Sequence, residues 1–409
     1  MIPRPTYLKQ LISWKDRHLI KIVSGVRRSG KSTLFKLYQE YLQGRGIEAS
    51  NIISINLEDP AYYELLDWRK LYDFIDCKLA PKGKNYVFID EVQNVRDFQR
   101  AADGLYIKDN VDLYLTGSNS RFQSGEWATM LSGRYINIQM YPLSFKEYVS
   151  AYPFNDSIET KYRRYLENSS FPYAMELHTE DRWETSNIRE YLSGIYNTIV
   201  LKDIVENKKI VEIDRLERII KFAADNIGST LSVNTIANTM VSNGIKVDNR
   251  IVENYLRACC DSFIIYRADR YDVKGKRLLK TQNKYYLVDL GLRYFLLGNR
   301  DIDTGRMLEN VVYLELLRRN RKVYIGKVDY RKNGKLDIRE IDFVAESDGG
   351  TEYYQVSQSI LDPNALKREL APLNAVKDHN PKYLLTLDAV PAVSHNGIKQ
   401  INALDWLLE

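Results

Sequence analysis

The segment Gly25, Val26, Arg27, Arg28, Ser29, Gly30, Lys31, Ser32 and Thr33 constrains the fold more than any other part of this chain. Two glycines with four residues between them, then a lysine and a hydroxyl residue, form the spacing of a loop that wraps phosphate groups. The pattern carries that meaning only between a strand and a helix, and both flanks are present. Leu19, Ile20, Ile22 and Val23 make a short apolar run suited to a buried parallel strand, and Leu34, Leu37, Tyr38 and Tyr41 recur at helical spacing. Gly25 and Gly30 let the backbone turn so that its N–H groups face the phosphates, while the following helix adds the positive end of its dipole. Lys31 is then placed for the β- and γ-phosphates, and Ser32 for a magnesium ion. The expected nucleotide-binding set is therefore Gly25 through Thr33.

Length and composition narrow the rest. The 409 residues leave room for two or three domains. A net charge of +5 is compatible with nucleic acid without demanding it. Cys77, Cys259 and Cys260 give neither a disulfide framework nor metal-ligand spacing. No apolar run approaches the roughly 18 residues of a membrane span, and the first residues do not open a signal peptide, so a soluble cytoplasmic protein is expected.

Hydrolysis requires an acid to hold the metal and a base to orient water. Tyr86, Val87, Phe88 and Ile89 form an apolar strand ending in Asp90 and Glu91, the Walker B arrangement. Asp90 is expected to hold magnesium with Ser32, and Glu91 to polarise the attacking water. A further strand, Val111 to Leu115, ends in Thr116, Ser118 and Asn119, any of which could sense the γ-phosphate. Arg121 and Arg134 are candidates for a cation that stabilises transition-state charge, in cis or from a neighbouring subunit. With Ile52 to Leu57 and Tyr135 to Met140, about five strands alternate with helices, which predicts a P-loop three-layer αβα domain with a parallel sheet over residues 1–150.

The order GVRRSGKST, INLEDP, YVFIDEVQ, LYLTGSNS, LSGRY and YPLSFKEY resembles the prokaryotic AAA-type ATPases that carry a C-terminal domain of unknown function. The resemblance implies ATP as the nucleotide, magnesium as its metal, and an extra strand between the P-loop and Walker B strands. It supplies no substrate, and no second sensor arginine follows the ATPase domain.

Residues 151–295 read as a helical linker and a winged helix. Ser232 caps one short helix, Asp248 a second, and the stretches around Phe263 to Arg267 and Tyr285 to Val288 form a hairpin with Lys274, Lys276 and Arg277 at its tip. Arg270 to Lys284 carries six basic residues against the single acid Asp272, and the second helix offers Asn249 and Arg250. DNA is thus one expected partner and another protein the alternative. Homo-oligomers are a further expectation.

In residues 296–409, Glu309, Asp342 and a following strand resemble the core of restriction-endonuclease-like nucleases. Those enzymes place a Glu-x-Lys on that strand, and here Gln355 and Ser357 stand instead. A catalytically degenerate nuclease fold is expected, with Glu309 and Asp342 in ion pairs to Arg318 or Arg339. The whole reads as an ATPase whose nucleotide state moves the other two domains. The alternatives are an ATP-dependent switch with negligible turnover and, less favoured, an ATP-driven DNA nuclease.

Overall fold

The computed structural model describes residues 2–119, 131, 133–180, 185–206, 208, 210–298, 303–332 and 335–409. Arg121 lies outside them. The chain divides into two compact units, one holding the residues up to Pro142 with Asp261–Phe263, the other Leu143–Cys260 with Ile264–Glu409.

The first unit is built on β1 (Ile20–Ser24), β2 (Ile52–Asn56), β3 (Asn85–Asp90), β4 (Val111–Gly117) and β5 (Tyr135–Gln139). All neighbours pair in parallel, in the order β2-β3-β4-β1-β5. β4 is therefore the extra strand between β1, which feeds the loop, and β3, which carries Asp90. β1 and β3 are buried along their whole length, as strands covered on both faces must be. Side chains alternate across the sheet. Ile20, Ile22, Val87, Ile89, Leu113 and Leu115 pack on α3 (Trp68–Lys78) and α4 (Phe98–Tyr106) through Leu71, Ile75, Phe98 and Leu105. Val23, Phe88, Tyr114 and Ile138 face α1 (Pro5–Ser13) and α2 (Lys31–Gly44) through Tyr7, Leu11, Leu34 and Tyr38. These are the three layers the alternation predicts.

The second unit begins earlier than residue 151. Ser144 and Glu147 form a reciprocal capping box at the start of helix Phe145–Ala151. Phe145 lies 5.4 and 5.5 Å from the rings of Tyr162 and Tyr165, so this helix belongs with the helices that follow it. The expected pair of short helices is present at Val233–Ser242 and Asn249–Asp261, with Ser232 and Asp248 accepting the N-terminal N–H groups.

A boundary at 295 does not describe this unit. The remaining strands are β6 (Thr230–Leu231), β7 (Ile265–Asp272), β8 (Arg277–Leu287), β9 (Lys322–Lys332), β10 (Lys335–Ser347), β11 (Gly350–Ser357), β12 (Lys382–Thr386), β13 (Val393–His395) and β14 (Ile398–Asn402). They form one sheet in the order β13-β14-β12-β11-β10-β9-β7-β8-β6. The hairpin expected as a free wing sits inside it, because β7 pairs with β8 on one edge and in parallel with β9 on the other. Helix Pro363–Ala375 covers part of the sheet, with Leu373 packed on Val328, Ile341, Tyr353 and Leu384.

Candidate nucleotide site

The loop between β1 and α2 takes its shape from its glycines. Gly25 has φ +150°, and a Cβ there would lie 2.1 Å from the Met140 carbonyl oxygen, so no other residue fits. Gly30 caps α2 in the left-handed region at φ +99°. Arg28 is also left-handed. Arg4 anchors the loop from behind: buried, it donates to the carbonyls of Ser29 at 2.9 Å and Tyr141 at 2.7 Å.

Lys31, at the first turn of α2, is buried and points back into the loop. Its Nζ donates to the carbonyls of Gly25 at 3.1 Å and Val26 at 3.2 Å, and lies 3.6 Å from Glu91 Oε1. Asp90, at the end of β3, is bonded by the hydroxyls of Ser32 and Thr116. Burial, reinforced by Glu91, raises its carboxyl above the usual range despite those bonds and Lys31. A divalent cation beside it would reverse that balance. Glu91 behaves oppositely. Burial alone would raise it, but Lys31, Arg27 and bonds from Gln93 and Ser118 outweigh burial and hold it below an ordinary glutamate. Its backbone is left-handed at φ +55°, and its N–H donates to Thr116 Oγ1 at 2.8 Å. Such a conformation is costly for glutamate, and it aims the side chain at Lys31.

The donor set fits a magnesium-nucleotide complex. Ser32 and Asp90 converge as an oxygen pair, and the hydroxyls of Ser24 and Ser29 are buried without a hydrogen-bond partner among the described residues. Ser118 and Asn119 are buried at the end of β4, with Ser118 Oγ accepting from Gln93 at 3.2 Å. Thr116 is committed to Asp90 and Glu91, which leaves Ser118 and Asn119 as the sensor candidates. Arg27 pairs with Glu58 at 2.6 Å.

Arg134 departs from its expected role in cis. It precedes β5, beside the start of β1, whereas the loop follows the end of β1. A five-residue strand, about 15 Å, separates the two. Its guanidinium lies 5.5 Å from the Tyr106 ring and 3.8 Å from Asp103.

The second unit holds another buried lysine, which the sequence reading assigned to a basic surface. Lys284 Nζ lies 2.9 Å from Glu309 Oε1, 2.8 Å from Glu340 Oε1 and 3.8 Å from Asp342 Oδ1. Tyr286 also donates to Glu309, at 2.6 Å, and the Val356 N–H to Asp342, at 2.8 Å. The expected arginine partners are elsewhere: Arg318 pairs with Glu315, and Arg339 with Asp337. The metal that a nuclease fold implies does not fit. An ammonium already bridges the carboxylates, Gln355 gives its amide to Glu369, and no group of three metal-ligating side chains converges among the described residues. Burial, with Glu309 next, pushes the Asp342 carboxyl well above its ordinary value.

Three residues that matter here were not singled out from the sequence: Arg4, Gln93 and Lys284. Gln93 alone left a signal, two places beyond Glu91 in the Walker B segment.

Residues 17–149 match the AAA domain family, and residues 159–303 match a domain of unknown function, DUF8612. An uncharacterized protein of Haemophilus influenzae is 38% identical over all of this chain and 99% of its own length. An uncharacterized protein of Methanocaldococcus jannaschii is 28% identical over 88% of this chain and 79% of its own. Among solved structures, a Walker-type ATPase of Pyrococcus abyssi superposes with a TM-score of 0.50 over 72% of this chain and 96% of that one, at 14% identity, a likeness of fold. No helix among the described residues is long and apolar enough to cross a membrane. With loop, Walker B strand and sheet order in agreement, the chain belongs to the AAA-type P-loop ATPases that join this domain to a second one of unknown function.

Proposed function

We propose that this chain binds magnesium-ATP on residues Gly25–Thr33, hydrolyses it with Glu91 as general base, and uses nucleotide state to move its second unit. The observation that carries this reading is the convergence of Lys31, Ser32, Asp90 and Glu91 at the ends of two strands of one parallel sheet. Lys31 would leave its carbonyls for the β- and γ-phosphates. Ser32 and Asp90 would hold magnesium, which when bound neutralises phosphate charge. Glu91, ionised well into the acid range, would take the proton of the attacking water. The second unit supports a scaffold or partner-binding role, since Lys284 closes its carboxylate cluster.

Lys31→Ala should weaken ATP binding by roughly a hundredfold or more, and Glu91→Gln should bind normally while losing about 10²–10⁴ in turnover. Equal phosphate release by Glu91→Gln and the parent would sink the assignment of Glu91. Parent turnover as low as that of Glu91→Gln would favour a nucleotide-dependent switch.

DNA is a second reading, supported by the exposed hairpin tip. Lys274, Lys276 and Arg277 all face solvent, whereas on helix Asn249–Asp261 the Asn249 amide is turned to Asn234 and Arg257 pairs with Glu253, leaving Arg250 as its exposed cation near the N-terminus. Duplex DNA should raise the ATPase rate of the parent but not of Lys274→Ala/Lys276→Ala; no stimulation would remove this reading.

A further inference from the structure

We propose that Gln93 is a positioning residue that ties the carboxylate of Glu91 to the γ-phosphate sensor position at Ser118. The proposal rests on the reading of Glu91 as general base. Gln93 lies in the single turn Val92–Asn94 that follows β3. Its Nε2 donates to Glu91 Oε2 and, at 3.2 Å, to Ser118 Oγ. One amide group thus uses both of its hydrogens to bridge the end of β3 and the end of β4. The orientation of the amide is fixed by chemistry, because turning Oε1 toward Glu91 would set two acceptors against each other. Gln93 Oε1 is buried with no hydrogen-bond partner among the described residues, so the side chain accepts an uncompensated acceptor in order to keep both donated bonds.

Each oxygen of Glu91 has its own neighbour: Oε1 faces Lys31, and Oε2 is held by Gln93. When Lys31 turns to the phosphates, the Lys31 contact is given up and the Gln93 bond stays. Gln93 then fixes where the carboxylate points while Ser118 moves with the γ-phosphate. Ser118 also donates to Glu91 directly, so the Gln93 amide and the Ser118 hydroxyl together couple the two strand ends.

The test uses the full chain carrying Gln93→Met, which keeps the length and loses both donors, and Gln93→Glu, which adds a like charge. Gln93→Met should leave nucleotide affinity and KM within about twofold and lower kcat about tenfold or more. Gln93→Glu, which sets a like charge beside Glu91, should lower kcat at least as far, again with KM within about twofold. Ser118→Ala should lower kcat too, and the Gln93→Met/Ser118→Ala pair should lose less than the two single losses combined. Unchanged kcat in Gln93→Met would overturn the proposal, as would a loss of affinity parallel to the loss of kcat. Full turnover in Glu91→Gln would instead refute the role of Glu91, an outcome separate from a silent Gln93 beside an inactive Glu91→Gln.

Discussion

Each unit of this protein buries a lysine among carboxylates, and the two lysines are bound in opposite ways. Lys31 is held by two neutral carbonyls at 3.1 and 3.2 Å and by one carboxylate at 3.6 Å. Lys284 has two carboxylates within 3 Å and a third at 3.8 Å. A carbonyl is a weak counter-charge, so Lys31 gains by exchanging it for phosphate. Lys284 has nothing to gain, since its charge is already met by more anions than it can neutralise. Lysine and acids in a buried pocket therefore do not define a site. What defines one is whether the cation is left with a better partner to find.

The comparison breaks most easily at the lysines themselves. Lys284→Met leaves three carboxylates facing one another without a cation, and removing one partner from a buried ionic cluster costs about 3–5 kcal/mol. Thermal melting of the second unit should fall accordingly. Lys31→Met should cost within about 1 kcal/mol, because Glu91 keeps Gln93 and Arg27, while ATP binding disappears. Similar melting losses in the two variants would mean that Lys284 is no more committed than Lys31.

The sequence made the first site readable and hid the second, for a reason of distance along the chain. The loop and the Asp90-Glu91 strand end are contiguous patterns, each complete within a few residues. Lys284 meets Glu309 across 25 residues and Asp342 across 58, on a strand whose neighbours look like basic surface. Arg4 reaches Tyr141 across 137 residues and left no local trace. Domain limits failed on the same ground: the parallel pairing of Arg270–Asp272 with Ile325–Lys327 joins a hairpin to strands some fifty residues later, and no turn signal reports such a pairing.

A smaller effect separates the two sites by pH. Asp342 has its folded pKa raised, so its contribution to stability is present below the unfolded value, near 4, and is lost as pH rises through the folded value. Asp342→Asn cannot ionise and avoids that loss, while its amide oxygen can still accept from the Val356 N–H. The melting temperature of Asp342→Asn relative to that of the parent should therefore rise as pH climbs above about 4. A difference constant with pH would show that Lys284 already compensates Asp342 fully. Glu91 has the opposite sign: lowered in the folded state, it contributes stability above its unfolded value and loses it only as pH falls toward the acid range.

The smallest expected effect bears on whether the open site is complete within one chain. Arg134 lies at the far end of β1 from the loop, with its guanidinium close to Tyr106 and Asp103. Because that group is nearly half exposed, Arg134→Ala should change stability by less than about 0.5 kcal/mol and leave turnover per chain the same at all protein concentrations. A large loss of turnover without loss of ATP binding would have a specific meaning. An arginine too distant to act within its own chain would be acting on a neighbouring copy, and mixing in Lys31→Ala chains, whose Arg134 is intact, would then restore turnover. The Lys31 site would then be open twice over, to a nucleotide and to a second subunit, while the Lys284 cluster, closed by its own lysine, would be open to neither.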